Sequence, residues 1–191
     1  MLRGRLIIFA ILFFTVSSYC QNISFISEKI VITINDSNFT ISGIYYFLNN
    51  NDKEISTSIY YPFKVDEDFL YPDSILILNK KDKFLNFSKG KKGIYFSLKF
   101  SPKDTTMFTA FYRQKNLIQK AEYILTTTQN WNAPLQKAEY IVNIPLKFKL
   151  KFLSLKPDSA NNNSIFKTFY ITKKNYMPKT NLIVEWERSK K

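Results

Sequence analysis

Strict alternation of apolar and polar residues is the feature that most constrains what this chain can fold into. Apolar side chains occupy every second position of 94–100, and isoleucine occupies every second position of 30–34 in the same way. A period of two places alternate side chains on opposite faces of a β-strand, so these segments are predicted strands with one buried face. Similar runs occupy 39–49, 55–63, 74–79, 106–113, 121–128, 138–152, 165–172 and 181–187.

Turn-forming residues separate these runs, and no long helical stripe interrupts them after residue 20. About ten short strands at this spacing predict an all-β fold, an antiparallel β-sandwich, for which the immunoglobulin-like arrangement is the commonest at this size. A small closed β-barrel is the alternative. Aromatic residues make up 17% of the chain, as expected for a packed protein. We therefore predict that residues 21–191 form a single β-sandwich domain.

Residues 1–20 have the order of a secretory signal. Arg3 and Arg5 precede an unbroken apolar run over 6–14, and small and polar residues follow it. A membrane-spanning helix needs about 20 apolar residues, and this run is about half that length. A cleaved signal helix therefore fits better than a permanent anchor.

Cleavage is predicted after Cys20, which makes Gln21 the first residue of the mature chain. A cut after Ser18, retention of the signal as an anchor and lipidation of Cys20 are the alternatives. Cleavage after Cys20 removes the chain's one cysteine, so the mature protein would fold without a disulfide. We expect an exported protein, in the periplasm or at the cell surface, with no transmembrane span after cleavage.

The formal net charge is +13, and cleavage would remove only the two arginines of the signal. Such an excess of positive charge favours association with anionic surfaces and carries no information about the fold. We expect a protein, anionic glycan or lipid partner and no nucleic acid. A composition bias toward lysine would give the same charge without a function.

The most amphipathic segment is 146–152, which reads Leu-Lys-Phe-Lys-Leu-Lys-Phe. As a strand it places the leucine and phenylalanine side chains on one face and Lys147, Lys149 and Lys151 on the other. These lysines are candidate ligands for an anion. They could equally form a solvated outer face that discourages edge-to-edge aggregation.

A short repeat brackets a loop tryptophan. The segment 119–124, Gln-Lys-Ala-Glu-Tyr-Ile, recurs at 136–141, which indicates two strands with the same inward pattern of Ala and Tyr, or a repeated ligand-binding strip. Trp131 lies between the two copies. It is expected to cap one end of the core, and the alternative is a binding residue that stacks on a sugar.

No histidine occurs in these 191 residues. This excludes Ser-His-Asp and Cys-His catalysis and imidazole-bound zinc, and no glycine pattern of a phosphate-binding loop is present. We therefore expect no enzyme activity, no catalytic residue, no cofactor and no metal. The alternative is a polysaccharide hydrolase that uses carboxylates alone, because two suitably separated acids suffice for that reaction.

Three segments carry a resemblance to a family. They are residues 28–34, residues 46–52 with Tyr61-Pro62-Phe63, and residues 123–128 running into Trp131 and Pro134. Together they resemble an uncharacterised family of exported bacterial β-rich proteins known as domains of unknown function. The resemblance implies export and a sandwich-like fold, and it implies no activity, ligand or catalytic residue.

These observations favour a non-catalytic cell-envelope protein with a binding or structural and assembly role. Its sheets would contact an anionic glycan, a lipid surface or a protein partner.

Overall fold

A computed structural model describes residues 23–115 and 117–188, which form thirteen β-strands and one short 3-10 helix. The strands are β1 (Ile23–Ile34), β2 (Asn38–Asn49), β3 (Ile55–Pro62), β4 (Ser74–Asn79), β5 (Ser88–Gly90), β6 (Gly93–Phe100), β7 (Thr105–Lys115), β8 (Lys120–Tyr123), β9 (Leu135–Pro145), β10 (Phe148–Leu153), β11 (Ser159–Asn162), β12 (Phe166–Tyr176) and β13 (Leu182–Arg188). The 3-10 helix, Thr126–Trp131, lies between β8 and β9.

One large sheet and two small ones form two layers. The large sheet has the order β11-β12-β9-β1-β2-β7-β4, and the small sheets have the orders β10-β13-β8 and β3-β6-β5. Strands β1 and β9 are parallel, and the other strand pairs of the described residues are antiparallel. The small sheets lie side by side over the inner face of the large sheet and share one apolar core with it.

The core is formed by the inward-facing side chains of the long strands. Ile30, Ile32 and Ile34 of β1 are fully buried, as is Phe39 at the start of β2. Rings connect the layers: Phe47 of the large sheet contacts Phe100 of a small one, edge to face. Ring pairs of this kind add about 0.5–1.5 kcal/mol each beyond the area that they bury.

The predicted all-β sandwich is confirmed, and the described residues form open sheets rather than the alternative closed barrel. The predicted signal helix lies outside the described residues. Two predicted runs are not single strands over their full length. The run 138–152 is two strands, because Pro145 has no amide hydrogen for the ladder and ends β9 before a turn. The run 121–128 leaves the sheet at Tyr123, and the 3-10 helix begins three residues later.

Candidate ligand-binding cleft

A cleft of about 560 Å³ lies between the two layers. Two edge strands, β3 of one small sheet and β8 of the other, both contribute residues to its lining. Residues 57–62 of β3 line one side, Tyr123 and Ile124 line another, and β1, β2 and β7 of the large sheet form the floor. The volume is within the range of about 300–1,000 Å³ that is usual for small-molecule sites.

Aromatic rings form one wall of this cleft. Phe25 of β1 stacks on Phe47 of β2 with ring centroids 4.7 Å apart. Trp131 lies 5.0 Å from the Phe47 ring and 6.2 Å from the Phe25 ring, tilted against both. All three side chains face the cleft, so a ligand there would meet apolar ring surface.

The loop before β13 fixes the position of Trp131 through the side chain of Asn181 and the backbone carbonyl of Pro178. Asn181 Oδ1 accepts hydrogen bonds from the amides of Leu125 and Thr126 at the start of the 3-10 helix. Gln129 Nε2 donates to the carbonyl of Pro178 at 2.7 Å. The 3-10 helix is therefore held at both ends, which makes the tryptophan wall part of the fold.

A β-bulge directs a carboxyl group toward the cleft. In β1, Phe25 pairs with Phe47 and Ser27 pairs with Tyr46, so one extra residue lies between these pairs. Phe25 on one side of the bulge and Glu28 on the other both face inward, although they have opposite parity. A bulge re-aims side chains in this way and is common beside functional sites. Glu28 is 3% exposed and lines the cleft.

Four tyrosines from four strands surround this carboxyl group, and we call Tyr45, Tyr61, Tyr123 and Tyr140 the tyrosine cluster. Tyr140 donates a 2.8 Å hydrogen bond to Glu28 Oε1. The Tyr45 hydroxyl shares hydrogen bonds with Tyr61 at 2.7 Å and with Tyr123 at 2.8 Å. Chains of hydroxyl groups polarise one another in a low-dielectric interior, so the cluster is a connected polar network.

The ring of Tyr45 lies over Gly43, its neighbour on the same face of β2. A Cβ atom added at Gly43 would lie 2.7 Å from Cε2 of Tyr45 and closer still to its hydroxyl oxygen. Ordinary carbon contacts are about 3.5–4.0 Å. Gly43 is therefore the residue that allows Tyr45 to join the cluster.

Burial controls the protonation of Glu28. Loss of solvation raises the pKa of Glu28 from 4.5 to about 7, against the opposing effect of hydrogen bonds from Tyr140 and Tyr123. Burial also raises the pKa values of Tyr45, Tyr61 and Tyr123 well above 10.0. At neutral pH the phenols are therefore hydrogen-bond donors, and Glu28 exchanges between its neutral and ionised forms.

The predicted lysine strip lies away from this cleft. Lys147 precedes β10 and forms a 2.6 Å ion pair with Asp36 in the β1–β2 turn. Lys149 and Lys151 both lie 3.6 Å from carboxylate oxygens of Glu187 on β13. The three lysines are exposed, and each has a carboxylate neighbour.

The alternation predicted for 146–152 is broken at Lys151. A register shift lies between Leu150 and Phe152, and Phe152 is 48% exposed rather than on the buried face with Phe148. Leu146 lies in the turn and is 49% exposed. The bulge in β10 therefore exchanges the buried and exposed faces that the sequence predicted for the last residues of this strand.

Trp131 is partly buried, packs against the core and also lines the cleft. Sequence reasoning missed Glu28, although it has the same parity as Ile30, Ile32 and Ile34 and is therefore an acid on a buried face. The repeat was a second signal, since its two tyrosines, Tyr123 and Tyr140, both adjoin Glu28.

No protein-family model and no curated protein matches the sequence. Solved structures share the fold. A "putative nutrient binding protein" from Legionella pneumophila matches with a TM-score of 0.71 and 15% identity, over 86% of this chain and 67% of that one. The M1 zinc metallopeptidase from Deinococcus radiodurans matches with a TM-score of 0.53 and 9% identity, over 86% of this chain and 42% of the enzyme.

These identities establish a shared fold alone. The present chain spans less than half of the metallopeptidase, and without histidine it cannot hold an H-E-x-x-H zinc motif of its own. Among the described residues, no helix has the length and apolar character needed to cross a membrane.

Proposed function

We propose that this chain is an exported, non-catalytic binding protein of the cell envelope, and that the cleft is its small-molecule site. The observation that carries the proposal is a pre-formed cleft with aromatic walls and one polar end, built on rigid strands. Concave, mostly apolar sites with a few placed polar groups are the usual form of ligand pockets. The name of the Legionella neighbour, a nutrient-binding protein, agrees with a binding role.

The composition of the cleft supports binding rather than hydrolysis. A carboxylate-dependent glycosidase needs two carboxyl groups about 5–9.5 Å apart. Glu28 is the one carboxyl-bearing side chain among the described residues that line the cleft. The remaining polar groups there are hydroxyl and amide groups, which orient a ligand by hydrogen bonding.

An anionic glycan or lipid would not be held in this cleft. No lysine or arginine lines it among the described residues, and Glu28 would repel an anion. If the protein also contacts an anionic surface, the exposed lysines outside the cleft are the groups that would carry that second contact.

A neutral dye whose fluorescence rises in apolar surroundings, such as N-phenyl-1-naphthylamine, tests the cleft. Thr57 lines the cleft from β3, so Thr57→Trp should fill it and weaken dye binding by about tenfold or more. Thr172→Trp is the matched control, because Thr172 is exposed on β12 and does not line the cleft. Equal dye affinity of parent and Thr57→Trp, with both proteins folded, would refute the cleft as the ligand site.

Export is tested separately by the mass of the protein recovered from an export-competent host. We expect a chain that begins at Gln21. A mass that retains residues 1–20, or that shows acyl chains on Cys20, contradicts that expectation.

A further inference from the structure

We propose that the ligand of this cleft carries a methylated organic ammonium group, with Glu28 as its counter-ion and the surrounding aromatic rings as its cage. This inference rests on the proposed function, because it names the ligand class for the same cleft. Three observations support it: a buried acid with no lysine or arginine among the described residues that line the cleft, the ring surface, and the backbone device that presents the carboxyl group.

The first observation is electrostatic. Glu28 is the one formally charged side chain among the described residues that line the cleft, and the described ion pairs do not include it. An ionised carboxylate without a cation is unfavourable in a buried site. A bound organic cation would supply the partner that the protein itself does not provide.

Within residues 23–115 and 117–188, the titratable groups that interact with Glu28 are phenols. Tyr140 donates to it from β9, and Tyr45 lies opposite it on β2. Tyr61 from β3, Tyr123 from β8 and Tyr176 from β12 interact with its charge. Phenols stabilise a carboxylate by hydrogen bonding but add no positive charge, so the negative potential at the end of the cleft is not neutralised from within.

The second observation is the ring surface. Eight of the residues that line the cleft are aromatic: Phe25, Tyr45, Phe47, Tyr60, Tyr61, Phe108, Tyr123 and Trp131. The faces of aromatic rings attract cations, and cages of such rings recognise quaternary and methylated ammonium groups. A methylated group suits this cleft better than a primary amine, because it has few or no N–H donors that need acceptors. Its methyl groups can instead contact the rings directly.

The third observation is the bulge in β1. Ile23 and Phe25 face inward, so in a regular strand Glu28 would face outward. The extra residue at the register shift turns Glu28 inward. A glutamate that served only to fill space would be replaced at lower cost by an apolar residue of similar volume. The sequence and the backbone together maintain an acid at the end of an apolar cleft.

Two probes of the same shape and different charge test the inference: 4-trimethylammoniobenzyl alcohol and its neutral carbon isostere, 4-tert-butylbenzyl alcohol. Calorimetric or NMR titrations of the full mature protein would be made at pH 8, where Glu28 is ionised, and at pH 5.5, where it is neutral. We expect the cation to bind about tenfold more tightly than the isostere at pH 8, and the preference to shrink at pH 5.5.

Glu28→Gln is the decisive variant, since the amide oxygen can still accept from Tyr140 while the charge is lost. We expect it to bind the neutral isostere within about twofold of the parent and to lose the preference for the cation at both pH values. Lys29→Gln, on the exposed face beside Glu28, should behave as the parent.

Equal binding of the two probes to the parent, or an unchanged cation preference in Glu28→Gln, overturns the ammonium inference and leaves the cleft as a ligand site. Failure of both probes to bind at millimolar concentration also overturns it. The dye experiment with Thr57→Trp then decides the proposed function independently, because that dye is uncharged.

Discussion

The cleft and the lysine strip each carry charge of one sign, and they differ in solvent access and pairing. In the cleft, one acid is buried among phenols, and none of the described residues that line the cleft is a lysine or arginine. On the strip, three lysines are exposed and two carboxylates, Asp36 and Glu187, lie within ion-pair distance of them. Interactions of a buried charge are scarcely screened by salt, whereas those of exposed charges are weak and fall off over about 8 Å at physiological salt.

This difference separates specific from non-specific binding. A buried carboxyl group inside a shaped cavity can select a ligand by size and by sign of charge. Exposed lysines that already have carboxylate neighbours can attract an anionic surface but cannot define a ligand. The experiments below test each side of this comparison, from the largest expected effect to the smallest.

Gly43→Val should have the largest effect, because the added side chain would occupy the space of the Tyr45 ring. Displacement of Tyr45 breaks its hydrogen bonds with Tyr61 and Tyr123 and strains the inner face of β2. We expect the free energy of unfolding to fall by about 4 kcal/mol, measured by urea denaturation. Ser42→Val, one residue away on the outer face, should change it by less than about 0.5 kcal/mol. Equal stability of the two variants would show that Tyr45 can move without cost.

Glu28→Gln should make the protein more stable at alkaline pH. Since burial raises the pKa of Glu28 from 4.5 to about 7, folding favours the neutral acid. Its stabilising contribution is complete below pH 4.5 and is lost as pH rises through 7, which corresponds to about 3 kcal/mol at 1.36 kcal/mol per pH unit. We therefore expect the variant to match the parent near pH 4.5 and to exceed it by up to about 3 kcal/mol at pH 8.

Urea denaturation at pH 4.5, 6 and 8 would measure this effect. Glu139→Gln, which removes a partly exposed carboxyl group on β9, is the matched control. If Glu28→Gln loses stability with rising pH as steeply as the parent does, Glu28 is not the buried titrating group and the contrast with the exposed strip is lost.

The sequence predicted the strands well and the cleft poorly, for physical reasons. Alternation reports which face of a strand is buried, and so the predicted run 74–79 has the bounds of β4. A bulge changes that parity with no local sequence mark, as at Ile26 in β1 and Lys151 in β10. The gap between β3 and β8 depends on how two small sheets pack on a third, which no single segment encodes.

Tyr140→Phe should have an intermediate effect that depends on the charge of Glu28. The variant removes the donor to Glu28 Oε1, and a charged acceptor without its donor costs about 2 kcal/mol at pH 8. The loss should be smaller at pH 4.5, where Glu28 is neutral. Tyr176→Phe is the matched control, since its ring packs edge-on against Tyr140 and its hydroxyl has no hydrogen bond within the described part of the chain. A loss of equal size in both variants would indicate that removing either hydroxyl group near Glu28 has the same effect, and that the Tyr140 hydrogen bond has no special role.

The smallest effect on stability is expected for the triple variant Lys147→Gln, Lys149→Gln, Lys151→Gln. The lysine side chains are 57–75% exposed, and exposed ion pairs typically contribute about 0–1 kcal/mol. We therefore expect a nearly unchanged unfolding free energy, together with loss of most salt-sensitive binding to acidic glycans or anionic vesicles in co-sedimentation at low salt.

A matched variant with Lys89, Lys91 and Lys92 changed to glutamine removes the same charge from another surface. If the first variant binds as well as the parent at low salt, or if the two variants lose binding equally, net charge rather than the strip attracts anions. Either result leaves the cleft, with its single buried carboxyl group, as the proposed site of selective binding.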